Sequence, residues 1–264
     1  MPTSDFQIQF VAQTDSTNSQ LFQRAARRSM HRQVLVADVQ TAGRGQRGRE
    51  WQTSAGDAVL MSVAWEFEHA DRALRLDGLS LAVGVAVVKA LRATLGDDTG
   101  HRLKLKWPND LLIDDSHKLA GILIETVPGS FAAPASSATR TAVIGIGLNL
   151  RSPRMLSNTD ALPPIGLDDV TGVRHSRDGV VDVLLAALDE ALKLFARSGF
   201  ATFRNAWLAC HAYADKIVVA RFPGGDQISG RIVDVTERGA LVIESEAGLH
   251  TFVSGEVSLR ASSS

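Results

Sequence analysis

One stretch concentrates the chemistry of this chain: Gln40–Trp51, reading QTAGRGQRGREW. Gly43, Gly45 and Gly48 sit among Arg44, Arg47 and Arg49, and the stretch closes on Trp51. Glycine opens backbone angles closed to other residues and lets the main chain approach a ligand. The guanidinium groups between the glycines add charged forks that match phosphate or carboxylate oxygens. The spacing is neither that of a dinucleotide fingerprint nor that of a Walker loop. Residue chemistry alone therefore reads an oxyanion-binding loop. A nucleotide is the favoured guest, with a solvated basic hairpin tip or an RNA-adhesive patch as the bland alternatives.

Three further places carry chemistry. Asp15-Ser16-Thr17-Asn18 precedes Leu21, Phe22, Ala25 and Ala26 at helical spacing. Any of the four polar residues suits an N-cap, and the same hydroxyls and amide suit a polar ring. Lys118 opens an otherwise apolar run, KLAGILIET, where its charge needs a partner or water; taken alone it reads as an edge or solvent-facing residue. Gly145 and Gly147 alternate within AVIGIGLNL and leave one strand face bare, which marks a close approach to the backbone. There is no G-x-S-x-G elbow and no H-E-x-x-H, and the histidines are scattered without ligand spacing, so neither a hydrolytic triad nor a zinc centre is supported.

These groups need a sheet and helices to hold them. Strands are predicted at Phe6–Ala12, Val34–Val39, Ala58–Phe67, Leu103–Lys106, Leu111–Ile113, Lys118–Thr126 and Ala142–Leu150. Trp107-Pro108-Asn109-Asp110 and Asp114–His117 read as turns. A buried helix spans Leu79–Leu91 and stops before Gly96; two more are predicted at Val180–Ser198 and Phe200–Tyr213. Val127–Arg140 reads as a flexible hairpin loop and Ser152–Val173 as a proline-containing loop. From Lys216 the texture changes to short alternating strands at Ile217–Arg221, Ile228–Val235, Ala240–Glu244, His250–Val253 and Val257–Leu259, a small β-barrel-like unit.

The whole chain sets limits. With 264 residues, 45% of them hydrophobic, it can bury one large core plus a small appendage. A net charge of −1 argues against non-specific binding to nucleic acid or membrane, so the basic loop is a local feature. Cys210 is the only cysteine, which excludes an internal disulfide and a thiolate metal cluster and fits a reducing compartment. The start, MPTSDFQIQF, lacks a signal-peptide layout, and the longest apolar run is too short and too interrupted to span a bilayer. The expectation is a soluble cytoplasmic protein.

Four separated segments then carry a resemblance. GRGQRGREW, KWPND, KLAGIL with the acidic residue that follows, and GIGLN are similar, in this order, to the catalytic-domain signatures of biotin–protein ligases. DSTN at Asp15–Asn18 resembles that family's biotin-ring motif, and GALVIES…GEVSLR its C-terminal SH3-like barrel. Any one motif is weak, whereas the ordered set is specific. Lipoate ligases share the fold but not this loop together with KWPND.

The resemblance implies an α+β fold: a mixed central sheet with flanking helices, akin to class II aminoacyl-tRNA synthetases, in residues 1–214, and an SH3-like barrel in 215–264. It implies that biotin attacks the α-phosphate of MgATP to give biotinyl-5′-adenylate, and that a carrier-domain lysine then takes the biotin. Carried over by motif, Ser16, Thr17, Asn18 and Gln40 would hold the biotin ring. Gly43 and Arg44 would approach carboxylate and phosphate, and Trp51 would pack on the closed loop or ligand. Lys118 would bridge the biotinyl carbonyl and phosphate as the leading catalytic residue, with Arg44 and Asp110 beside it. Arg47, Arg49, Lys106, Asn109, Gly145, Gly147 and Asn149 would serve the nucleotide. Asp110 would contact either a metal or the acceptor lysine, and no metal ligands are assigned. Closure of the loop over the ligand, from a disordered state, would shield the anhydride from water.

Two departures stand out. Gln46 lies where the best-known members carry arginine, so weaker retention of the adenylate is expected. Repressor members carry an N-terminal helix-turn-helix domain; here DSTN starts at residue 15, and no DNA binding is expected. The expected partner is the biotin-carrier subunit of acetyl-CoA carboxylase, with an exposed sheet strand available for a homodimer. The competing readings are a lipoate or octanoate ligase of the same fold and a non-enzymatic nucleic-acid-binding module.

Overall fold

In the computed structural model the described residues are 5–67, 76–127, 139–153, 162–214 and 216–261. The chain runs β1 (Gln7–Thr14), α1 (Thr17–Ala25), β2 (Gln33–Gln40), β3 (Ala58–Phe67), α2 (Leu79–Leu95), α3 (Asp97–Gly100), β4 (Leu103–Lys106), β5 (Asp110–Ile113), β6 (His117–Val127) and β7 (Arg140–Asn149). It continues with α4 (Leu167–Thr171), α5 (Arg177–Ser198), α6 (Arg204–Leu208), β8 (Ile217–Arg221), β9 (Gln227–Val235), β10 (Leu241–Ser245), β11 (Gly248–Phe252) and β12 (Ser258–Ala261). No helix among the described residues is long and apolar enough to cross a membrane.

Seven strands form one mixed sheet in the order β1-β2-β3-β7-β6-β5-β4. Only β1 and β2 pair in parallel; the neighbours from β2 onward are antiparallel. β3 is an interior strand, third in that order, and nine of its ten residues are buried because both of its faces are covered. Val59, Met61, Val63, Trp65 and Phe67 join the large core with α2 and α5, whereas Leu35, Ala64 and Val143 meet Leu21 of α1 on the opposite face. That second face holds the site. α2 is alanine-rich because it packs closely on the sheet: a Cβ on Gly84 would lie 3.0 Å from Leu105. It ends at Gly96, whose φ of 73° suits glycine.

β8–β12 make a five-stranded antiparallel sheet ordered β11-β10-β9-β8-β12. It is tied to the large unit through the KWPND tryptophan, whose Nε1 donates to Gly239 O at 3.1 Å. Arg238 pairs with Asp77 at 2.5 Å and Lys216 with Asp115 at 3.0 Å. The motif that neighbours the site is therefore also the mount for the terminal sheet.

Some sequence expectations shift. The first strand is Gln7–Thr14, two residues later at its end than Ala12. The predicted helix Phe200–Tyr213 is a 3-10 turn, Phe200–Phe203, followed by the short α6. It stops because the next backbone groups bond the β4 edge: Leu105 N donates to Cys210 O at 2.8 Å and Ala212 N to Leu105 O at 2.7 Å. Within the predicted loop Ser152–Val173 the structure has α4, with residues 154–161 outside the described residues. Of the predicted hairpin loop Val127–Arg140, residues 128–138 also lie outside them.

Candidate functional site

The floor of the site is made of glycines on adjacent strands. Gly121 of β6 pairs with Gly147 of β7, and Gly145 lies two residues along the same face. The Trp51 indole rests on the pair: a Cβ would come within 2.6 Å of its ring at Gly147 and 3.1 Å at Gly121. A Cβ on Gly145 would lie 2.8 Å from Asn18 Oδ1. The bare strand face thus receives two side chains of this same chain, and above it opens a cavity of about 560 Å³.

One end of the cavity is built from neutral hydrogen-bonding side chains, with the Arg44–Glu125 ion pair at its margin. Ser16 is the N-cap of α1, its Oγ accepting from Ser19 N at 3.4 Å. Thr17 N and Oγ1 both donate to Gln40 Oε1, at 2.8 and 3.1 Å. Thr17 Oγ1 also lies 2.8 Å from Ser62 Oγ; since its single proton goes to Gln40, Ser62 donates here. Gln40 has spent its carbonyl, so its NH₂ remains to donate. Asn18 Nδ2 donates to Glu125 Oε2 at 2.6 Å.

The other end is charged. Lys118 Nζ is 2.6 Å from Asp110 Oδ1 and 5.4 Å above the Trp51 ring. Lys106 Nζ is 3.6 Å from Asp110 Oδ2. Burial pushes the Asp110 carboxyl up, but the Lys118 and Lys106 ammonium groups outweigh it and hold it below the ordinary carboxylate value. Burial pushes the Lys106 ammonium down to about 8, against the opposing pull of Asp110. The aim of Lys118 comes from a bulge. Leu111 pairs with Ala120 but Leu112 with Lys118, which leaves Leu119 as the extra residue. A bulge re-aims the strand's side chains. It brings Lys118 to the face of Gly121 and Leu123, where regular alternation would have sent it into the helix-covered core.

The loop folds as a tight hairpin. Trp51 N donates to Gly43 O at 2.9 Å, Gly45 N to Arg49 O at 2.6 Å, and Arg44 bridges Glu50. At its tip Arg47 and Gly48 take φ of 60° and 71°. A Cβ on Gly43 would lie 2.3 Å from Trp51 O, so that glycine serves the hairpin's own close approach.

Of the residues singled out from sequence, Ser16, Thr17, Asn18, Gln40 and Arg44 line the cavity with Arg49, Trp51 and Lys118. Asn109, Gly145, Gly147 and Asn149 line it too. The two asparagines hold neighbouring backbone: Asn109 Nδ2 donates to Ile122 O at 2.9 Å and Asn149 Nδ2 to Lys118 O at 3.3 Å. Asp110 and Lys106 stand behind Lys118 and do not line it. Gly43 is not in the lining, and Arg47 donates instead to Gly255 O on the terminal sheet's last turn, at 2.8 Å. Ser62 and Glu125 are not among the site residues expected from sequence, and Gln46, noted there only as a departure, also lines the cavity. Ser62 had a signal, as the only hydroxyl in a mostly apolar strand; Glu125 had only its place after KLAGIL.

Two buried polar atoms on lining residues, Asn18 Oδ1 and Trp51 Nε1, have no hydrogen-bond partner. A lining with unspent donors and acceptors fits a polar guest. Among the described residues no group of three or more His, Cys, Asp or Glu is placed to hold a metal ion.

Comparison with known proteins gives a consistent picture. A family model described as "Biotin/lipoate A/B protein ligase family" matches residues 10–149, and one described as "Biotin protein ligase C terminal domain" matches 215–260. The biotin–[acetyl-CoA-carboxylase] ligase of Paracoccus denitrificans is 33% identical over 249 residues, covering 94% of this chain and 98% of that protein. The bifunctional ligase/repressor BirA of Escherichia coli (strain K12) is 32% identical over 247 residues, covering 94% of this chain and 72% of that protein. Among solved structures, biotin protein ligase from Aquifex aeolicus in complex with biotin and ATP matches with a TM-score of 0.76 at 26% identity, over 97% of this chain and 99% of that one.

Proposed function

This chain belongs to the biotin/lipoate A/B protein ligase family, and we propose that it is a biotin–protein ligase in which the cavity above Trp51 brings biotin and ATP together. The observation that carries the residue-level reading is that one cavity joins a neutral hydrogen-bonding end at Thr17 and Gln40 to a cationic end at Lys118. A ureido ring is neutral and rich in donors and acceptors; a carboxylate meeting a triphosphate needs positive charge.

In the first step a biotin carboxylate oxygen attacks the α-phosphorus of ATP. The bond to the β-phosphate oxygen breaks, and pyrophosphate leaves with the electron pair. In the second, a carrier lysine amine attacks the acyl carbon of the mixed anhydride, the acyl–oxygen bond breaks, AMP leaves and the amine loses a proton. Gln40's remaining NH₂ is proposed to donate to the ring carbonyl. Lys118 is proposed to sit between carboxylate and phosphate, aimed by Asp110, and to stabilise the charge that builds as they meet. Arg44 and Arg49 are proposed to add the remaining cations. Positioning accounts for most of the rate, since no covalent enzyme intermediate is needed.

Mg²⁺ is proposed to travel on the triphosphate with its own waters. The proposed acceptor is the biotin-carrier subunit of acetyl-CoA carboxylase, and the proposed setting is the cytoplasm. The near-neutral charge supports ligase activity without operator binding. The test is pyrophosphate release from MgATP with biotin, lipoate or no acid. Biotin-dependent release is the expected result. Release with lipoate alone would move the chain to the sister activity, and release with neither would sink the reading.

A further inference from the structure

Arg44 meets a carboxylate that the reaction scheme leaves unused. Its Nη1 and Nη2 donate to Glu125 Oε2 and Oε1 at 3.1 and 2.8 Å, and Nη1 also donates to Ser19 Oγ at 3.2 Å. Glu125 Oε2 accepts in addition from Asn18 Nδ2 at 2.6 Å. One side chain on β6 therefore ties the glycine–arginine loop, the first turn of α1 and the sheet into a single knot. The Glu125 side chain is 22% exposed and that of Arg44 48%, so the knot is sheltered on the carboxylate side and open on the arginine side.

The stereochemistry is directional. Glu125 takes the end-on Nη1/Nη2 edge of the guanidinium, and a planar guanidinium carries a second, side-on edge made of Nε–H and the outer Nη2–H. Among the described residues no hydrogen bond engages that edge. Asn18 is constrained by the same carboxylate. With Nδ2 committed to Glu125, its Oδ1 turns onto Gly145, the one kind of residue with room for it.

We propose that Glu125 is a positioning residue of the adenylating site. It holds Arg44 by one edge so that the other edge meets an oxyanion in the cavity, and it fixes the Asn18 amide beside the ring end. Once the loop is folded as seen here, its first arginine is a hook held by one edge and open at the other. The effect on turnover rests on the ligase reading above; the anchoring of the loop does not.

The test uses the full chain with Glu125→Gln and Glu125→Ala and two readouts. In the first, the protein in saturating biotin is treated with trypsin, and cleavage after Arg44, Arg47 and Arg49 is followed by mass spectrometry against cleavage elsewhere as internal control. In the second, kcat and KM for biotin are taken from biotin-dependent pyrophosphate release. The expected result is loop cleavage about tenfold faster in the alanine variant at unchanged cleavage elsewhere, with KM for biotin raised about tenfold and kcat changed less. The isosteric glutamine variant, expected to lie between, guards against a folding defect. Unchanged loop cleavage in both variants would overturn the proposal. So would a lower KM, which would make Glu125 a competitor of the substrate for Arg44. If the wild type releases no pyrophosphate with biotin, the ligase reading falls and the cleavage assay still decides the anchoring.

Discussion

At the α1 end of the cavity, Thr17, Gln40 and Ser62 form a chain of neutral hydrogen bonds that commits both hydroxyl protons and leaves the Gln40 NH₂ to donate. At the other end, Lys118, Asp110 and Lys106 form a cluster with two cations on one carboxylate. The two ends do different work. Neutral groups with fixed donors discriminate a guest by leaving something unpaired when the wrong one binds. Charges held close to reacting oxygens matter most where charge builds up, in the transition state. The neutral end should therefore govern KM and the charged end kcat and pH behaviour.

The largest effect is expected at the charged end. Lys118→Ala should lower kcat for biotin-dependent pyrophosphate release about a hundred- to a thousand-fold, with KM for biotin little changed. Asp110→Asn should follow. It leaves two cations without their shared carboxylate and should destabilise the fold by about 3 kcal/mol, read from urea unfolding at pH 7.

Lys106 gives the third prediction. Its ammonium is held at about 8 in the folded protein against 10.5 ordinarily. Between those values the unfolded chain binds more protons than the folded one, so the stability traced to Lys106 rises with pH across that window. Lys106→Met removes this dependence. The unfolding free energy of the variant minus that of wild type should be larger, meaning a relatively more stable variant, at pH 7 than at pH 10 by about 2 kcal/mol.

The smallest effect belongs to the neutral end. Thr17→Val deletes the hydroxyl shared by Gln40 and Ser62 and should raise KM for biotin about tenfold with kcat nearly intact.

The sequence made the frame legible because local chemistry and the global fold agree there. The strand Ala58–Phe67 is legible with the bounds it has, since burial on both faces demands a run that is apolar except at Ser62 and Glu66. Gly145 and Gly147 were readable as a place of close approach, although composition could not say that Asn18 and Trp51 would be the groups approaching. The capping reading of Asp15–Asn18 holds for Ser16, and the same turn also lines the cavity.

What stayed hidden depends on register and on contacts distant in sequence. The bulge at Leu119 decides which face Lys118 reaches, and no residue type there announces it. Glu125 gains its role only because β6 brings it to Arg44, 81 positions earlier. Arg47 looks equivalent to its neighbours in the loop, yet it reaches across to Gly255, a partner no local pattern names. The break in the predicted helix Phe200–Tyr213 likewise follows from a distant sheet edge claiming its backbone.

The most direct test of the division between the two ends sets Thr17→Val beside Lys118→Ala in one experiment: kcat and KM for biotin-dependent pyrophosphate release at saturating MgATP. Thr17→Val is expected to raise KM and keep kcat, while Lys118→Ala loses kcat and keeps KM. A Lys118→Ala enzyme with wild-type kcat, or a Thr17→Val enzyme that loses kcat at unchanged KM, would contradict that division.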